Sequence, residues 1–136
     1  MNNTDFKAID NTIDSFVSNA INLFLAAFDK AGGIVVAHAK ETGNYLDHTT
    51  HLRSSVGYIV TLEGSIIHKG GFGGNLGGET GLSEAQSLIQ GSGIELIVVA
   101  GMKYARYVEA KNYNVLTSAE HLAEHIVPQI LKQLEL

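Results

Sequence analysis

The sequence predicts an α+β fold: a single domain in which an antiparallel sheet packs against a long N-terminal helix and a C-terminal helix. Three observations carry this expectation. Apolar residues recur every three or four positions from Ile9 through Ile13, Phe16, Ala20, Phe24, Ala27 and Ala31, and Val17, Ile21, Leu25 and Phe28 widen that stripe into a broad face. In the middle of the chain, Val56, Tyr58, Val60 and Leu62 alternate with Gly57, Ile59 and Thr61 in the period of two that marks a strand. Near the end, Leu122, Ile126, Ile130 and Leu134 line one face of a second helix.

Taken in order, the first helix starts near Ile9. Gly32-Gly33 costs about 1 kcal/mol per glycine relative to alanine, so a kink or an end is expected there before Ile34-Val35-Val36-Ala37 resumes the helix. Thr42-Gly43-Asn44 then stops it. Glu63-Gly64 is a turn signal and Ser65-Ile66-Ile67-His68 the returning strand of an antiparallel hairpin. Residues 70 to 81 hold seven glycines with only Phe72 and Leu76 as apolar anchors, a composition that predicts a flexible loop. Residues 82 to 90 form a short helix candidate closed by Gly91-Ser92-Gly93. The nearly continuous apolar run of residues 94 to 100, rich in β-branched side chains, reads as a central strand covered on both faces.

Tyr104, Tyr107 and Val108 share helical spacing, so their segment is expected to form one or two helical turns pinned to the sheet by its aromatics. Asn112-Tyr113-Asn114 is turn chemistry and Val115-Leu116 a short edge strand. Thr117-Ser118-Ala119-Glu120 reads as a capping box with Thr117 as the cap, and Pro128 should kink the last helix or begin a second piece of it.

Bulk composition excludes several classes of function. The chain has 136 residues, a single-domain length. Its net charge of −5 argues against a surface that neutralises many phosphates. Without cysteine there is no disulfide, thiolate nucleophile or cysteine-based zinc site. The first residues lack the basic stretch of a signal peptide, and the run of residues 23 to 28 is far shorter than the roughly 20 residues a bilayer needs. These features predict a protein that stays soluble in the cytoplasm.

Four constellations suggest chemistry. The glycine run could bring backbone N–H groups to a phosphate, but it contains neither a Walker pattern nor G-x-G-x-x-G, and Lys69 precedes it instead of following it. His121-Leu122-Ala123-Glu124-His125 matches H-x-x-E-H, in which two histidines one helical turn apart hold zinc and the glutamate polarises water. That pattern defines the alternative reading, a small zinc-dependent hydrolase, although solvated histidines flanking a buried Leu122 explain it more simply. Asp47, His48, His51, Ser54 and Ser55 contain triad residue types without a nucleophile elbow. Arg106 and Glu109 could be a catalytic pair; a structural ion pair or a contact to a neighbouring subunit is the plainer account. The residues therefore predict no catalytic group, no cofactor, no metal and no enzyme.

Two short segments carry a resemblance. Thr42-Gly43-Asn44, followed after an insertion by Leu52-Arg53-Ser54-Ser55-Val56, and Tyr104-Ala105-Arg106-Tyr107-Val108-Glu109 further on, resemble the tail-completion, or head–tail connector (neck), proteins of long-tailed bacteriophages. The run Lys111-Asn112-Tyr113-Asn114-Val115-Leu116-Thr117 resembles those of phages and prophages of gut bacteria. Ala110 stands where the family usually has glycine. The resemblance implies a non-enzymatic subunit of the head–tail junction or tail terminus, made in the host cytoplasm and then built into the virion. It implies a homo-oligomeric ring that completes the tail, with connector and tail-tube proteins as partners and no nucleic-acid sequence, membrane or small-molecule substrate recognised. Arg53, Tyr104, Arg106, Tyr107 and Glu109 are the assembly residues it points to, with Phe72 and Leu76 anchoring a glycine-rich arm that orders when a neighbour arrives.

Overall fold

The computed structural model describes residues 3–42, 53–109 and 118–136, with side chains from Val17 onward. Among the described residues, three helices and four strands follow in the order α1 (Asn3–Thr42), β1 (Gly57–Leu62), β2 (Ser65–Gly70), α2 (Leu76–Ser87), β3 (Ile94–Ala100), β4 (Lys103–Glu109) and α3 (Ala119–Leu134). The strands form one antiparallel sheet in the order β2-β1-β3-β4. One face of the sheet carries α1 and α3, the other α2. The α+β class, the long N-terminal helix and the C-terminal helix are as the sequence predicts.

The larger core lies under α1 and α3, where Phe24, Phe28, Ala31 and Val35 meet Tyr58, Val60, Leu96, Val98 and Ala105 of the sheet and Ala123, Ile126, Ile130 and Leu134 of α3. The second core lies under α2, where Ala85 meets Ile59, Ile97 and Val99. Successive strand residues point to opposite faces, so β3 feeds both cores and is buried along its whole length. That is the doubly covered strand expected of its apolar run.

Helix α1 crosses the strands from β4 to β2. Its Phe28 ring meets Tyr107 of β4 edge-on at 5.5 Å. Gly32 lies against the Tyr58 ring of β1, and the Lys40 ammonium donates to the Gly71 carbonyl just beyond β2. No break occurs at Gly32-Gly33, contrary to expectation. A Cβ on Gly32 would lie 2.5 Å from Tyr58 Cδ2, so the missing side chain is the space the ring occupies. Over residues 17–42 the helix is long and apolar enough to cross a membrane, which the short-run argument overlooked; half of that stretch is buried in the fold, and its apolar face forms the core.

The β1–β2 hairpin turns through Glu63 and Gly64, whose φ angles of 49° and 86° are the two positive values a type I′ turn requires. The β3–β4 turn, Gly101-Met102, places glycine at φ 67° in the first position, as in a type II′ turn.

The segment 103–109 is a strand, not helical turns. Its residues alternate between sheet faces, with Ala105 and Tyr107 toward α1 and α3, and Tyr104, Arg106 and Val108 toward the α2 side. Nor are residues 70–81 a flexible loop, because α2 already begins at Leu76 and contains Gly77, Gly78 and Gly81 on its buried face. A Cβ at Gly78 would sit 1.7 Å from the Gly73 carbonyl oxygen and one at Gly81 2.3 Å from that of Ser55. These glycines let helix backbone touch loop backbone, which is order of a tight kind. Asn75 caps α2 by accepting from the Gly78 N–H at 3.0 Å and donates to Ser54 Oγ at 2.9 Å.

Ser118, one residue later than expected, caps α3 by accepting from the His121 N–H at 3.1 Å. Pro128 lies inside α3, which runs on as a single helix. The expected stop at Gly43-Asn44, the cap Thr117, the turn at Asn112-Tyr113-Asn114, the strand Val115-Leu116, and His48 and His51 lie outside the described residues.

Candidate assembly surface

The segment bearing the connector-like pattern is the edge strand β4, and its side chains divide by face. Toward α1, the half-buried Tyr107 ring lies on Phe28; burial, with the nearby Glu109 charge adding to it, raises the Tyr107 hydroxyl above the usual tyrosine range. Toward α2, Arg106 reaches back over the sheet to Glu95, with Nε 3.3 Å from Oε2. Register places Arg106 opposite Ile97, so Glu95 is its diagonal neighbour on the same face.

Glu95 is fully buried and therefore needs every partner it can find. Its Oε1 accepts the Gly91 N–H at 2.8 Å and the Gln90 N–H at 3.2 Å, while Arg106 also donates to the Leu88 carbonyl. Glu95 and Arg106 thus tie the end of α2 to the sheet. Where the sequence suggested Glu109 as the partner of Arg106, the structure pairs Arg106 with Glu95. Sequence reasoning passed over Glu95, although one carboxylate in an otherwise apolar central strand is itself a signal that a cation must lie nearby.

The outer edge of β4 is closed in part by α3. Gln133 accepts the Arg106 N–H through Oε1 at 3.0 Å and donates through Nε2 to the Arg106 carbonyl at 3.0 Å, so one primary amide serves as a strand of a single residue. Lys103 and Glu135 pair at 2.9 Å beside it, and the hydrogen bond from Lys103 lowers the Glu135 carboxyl below its usual range.

What remains at this edge is apolar and exposed. Met102 is 98% exposed at the tip of the β3–β4 turn, and Tyr104 and Val108 are 49% and 40% exposed on the sheet face that α2 leaves uncovered. Of the other residues singled out from sequence, Arg53 and Leu76 are exposed, whereas Phe72 packs on the Ile59 core beside Gly57. The structure does not gather all seven into one patch: Tyr104 lies at the β4 edge, Phe72 and Leu76 by β2 and α2.

Phe72 instead helps to form a pocket of about 290 Å³ between β2 and α2. Phe72 and Leu82 supply its apolar part, Gly73 and Gly78 its backbone, and Lys69 and Glu79 its charges.

His121, Glu124 and His125 lie on the exposed face of α3, where His125 Nε2 is 3.1 Å from Gln129 Nε2. Among the described residues no three metal-capable side chains come together. Among the described residues, the two recesses, one between β2 and α2 and one along α2, are lined by neither histidine nor by Glu124.

Comparison with known proteins returns no matching family model, no matching curated protein and no matching solved structure.

Proposed function

We propose that this chain is a non-enzymatic structural subunit of a phage head–tail junction or tail terminus, several copies of which close into a ring that completes the tail and docks it to the head. Its partners are then further copies of itself and the adjoining connector and tail-tube proteins. It is made in the host cytoplasm and ends in the virion.

The observation that carries the reading is the division of labour along β4. Arg106 and Tyr107 are spent on holding the fold together, while Tyr104, Val108 and the adjacent Met102 leave exposed apolar surface along one edge. Such a surface suits contact between proteins better than turnover of a substrate. The zinc-hydrolase alternative draws no support from the exposed histidines, which gather no third metal-capable side chain among the described residues.

Light scattering and negative-stain imaging of the purified protein test the proposal, with a closed ring as the expected form at high concentration. Imaging of particles assembled without the protein should show heads and tails apart; normally joined virions would defeat the reading. Stoichiometric zinc lost on His125→Ala would replace it with the hydrolase.

A further inference from the structure

We infer that α2, with the short loops on either side of it, is a hinged flap that swings off the sheet as one unit while the core under α1 and α3 stays folded. The two faces of the sheet are covered very differently. Of the four residues that α2 buries, Gly77, Gly78 and Gly81 have no side chain and Ala85 has a single methyl, so these bring almost no apolar area to the sheet. The remaining apolar contacts on that face, from Phe72, Leu82, Leu88 and Ile89, are only partly buried. On the opposite face Phe24, Phe28 and Val35 of α1 and Ile126, Ile130 and Leu134 of α3 are all buried. The covering by α2 is also incomplete, because a recess of about 290 Å³ remains between it and β2, walled by Phe72 and Leu82. Three glycines weaken α2 as a helix in its own right, so little holds it in shape once it leaves the sheet.

The ends of the segment are built as hinges. Gly71 and Gly91 stand at φ 91° and 88°, where glycine alone turns freely. Each lies at or near an anchored point: the Lys40 ammonium of α1 donates to the Gly71 carbonyl, and the Glu63 N–H of the β1–β2 turn donates to the Gly93 carbonyl at 2.9 Å. The chain between these points moves while its ends stay pinned.

Two clasps hold the flap shut. At the start of α2 the Gly73 N–H donates to the Ser54 carbonyl at 3.0 Å, and Asn75 Nδ2 donates to Ser54 Oγ at 2.9 Å. At its end the Glu95 carboxylate accepts from the Gln90 and Gly91 N–H groups, and Arg106 donates to the Leu88 carbonyl. Water can replace each of these bonds, so opening exchanges them for bonds to solvent. What opening bares is Ile59, Ile97 and Val99, an apolar strand face that the closed form hides. The domain thus has a closed form with both faces of its sheet covered and an open form with one face bare, the least packed part being the part that opens.

Val98 and Val99 are neighbours on β3 and both fully buried, Val98 in the core under α1 and Val99 in the core under α2. The chain has no cysteine, so Val98→Cys and Val99→Cys report the two faces separately. Each is labelled with a thiol reagent in native buffer and at rising urea below the unfolding transition, with circular dichroism as the check of folding. Val99→Cys should react about tenfold faster or more, with the weaker dependence on urea, because the flap exposes less surface than global unfolding does. Adding Glu95→Ala should speed the labelling of Val99→Cys by about fivefold or more, since that clasp is broken in the open form. Hydrogen exchange in the wild-type protein needs no substitution: residues 76–91 should lose protection together, at lower urea than α1 between Ala20 and Ala39. Equal labelling of the two cysteines with equal urea dependence, or loss of protection at 76–91 only together with α1, would overturn the flap. A Val99→Cys rate unmoved by Glu95→Ala would trace the labelling to a local movement beside Val99 and would overturn opening as a unit.

Discussion

Adjacent glycines in α1 should respond to alanine in opposite directions. At Gly33 a Cβ meets nothing within 4 Å, so Gly33→Ala gains the helix preference of alanine, about 1 kcal/mol, and nothing opposes it. At Gly32 the same Cβ would lie 2.5, 2.6 and 2.9 Å from three atoms of the Tyr58 ring, against the 3.5–4.0 Å at which carbons normally rest. The ring cannot simply withdraw. On another side it faces Gly70, where a Cβ would be 2.7 Å from Cε1, and its hydroxyl donates to Asp29 at 2.5 Å. Overpacking costs about 1–3 kcal/mol, and a ring held on two sides puts this case in the upper half of that range; less the helix gain of about 1 kcal/mol, Gly32→Ala should destabilise by about 1–2 kcal/mol. For 136 residues, an unfolding entropy of about 2.1 cal/mol/K per residue moves Tm by about 3–4 °C per kcal/mol. Thermal melts by circular dichroism should therefore place Gly33→Ala above the wild type and Gly32→Ala below it, about 7–10 °C apart. Putting Gly32→Ala into a Tyr58→Val background should remove the penalty. Equal melting temperatures for the two single variants, or a Gly32→Ala penalty that persists without the ring, would refute the reasoning.

Glu95→Ala leaves the part-buried Arg106 without its anion and the Gly91 N–H without its acceptor, so urea titration should show a loss of about 1–3 kcal/mol, with amide exchange rising first at residues 88–91. Burial, helped by the hydrogen bond to Asp29, raises the Tyr58 hydroxyl pKa. The stabilisation this represents is complete below the unfolded tyrosine value near pH 10 and is lost as pH rises through the folded one. Wild-type stability should accordingly fall more steeply above pH 10 than that of Tyr58→Phe, which starts about 1 kcal/mol lower at neutral pH for want of one hydrogen bond; parallel alkaline limbs in chemical denaturation would contradict this. Gln133→Ala removes two bonds to Arg106 and should cost about 1 kcal/mol while raising concentration-dependent aggregation, read by light scattering.

The parts of the fold that sequence foretold are those whose pattern is local and long. About six turns of apolar residues announce α1, alternation announces β1, and an apolar, β-branched run announces β3. Strand β4 was misread because an edge strand is only half covered: with Tyr104 and Val108 exposed on one face and Tyr107 on the other, the apolar positions fit a period of three to four as well as two. The glycine run misled for a different reason. Glycine favours looseness by itself, and what fixes it here is the approach of Gly73 and Ser55 backbone to Gly78 and Gly81, a tertiary contact invisible in any short window. At the β4 edge, Tyr104 was singled out, but Met102 was not, since its exposure depends on a two-residue turn that the helical reading had dissolved. Gln133 carries no signal at all in sequence; a surface glutamine becomes a strand surrogate only where α3 happens to lay it.

Helix α1 has 40 residues and at about 1.5 Å per residue is about 60 Å long, while four strands about 4.8 Å apart offer a platform roughly 15 Å wide. Helix α3 widens that bearing: the buried positions of α1 run from Ala20 to Ala39, about 29 Å of its length. The first turn stands about 26 Å beyond Ala20, so a small tilt of the rod on its bearing is delivered enlarged at that tip.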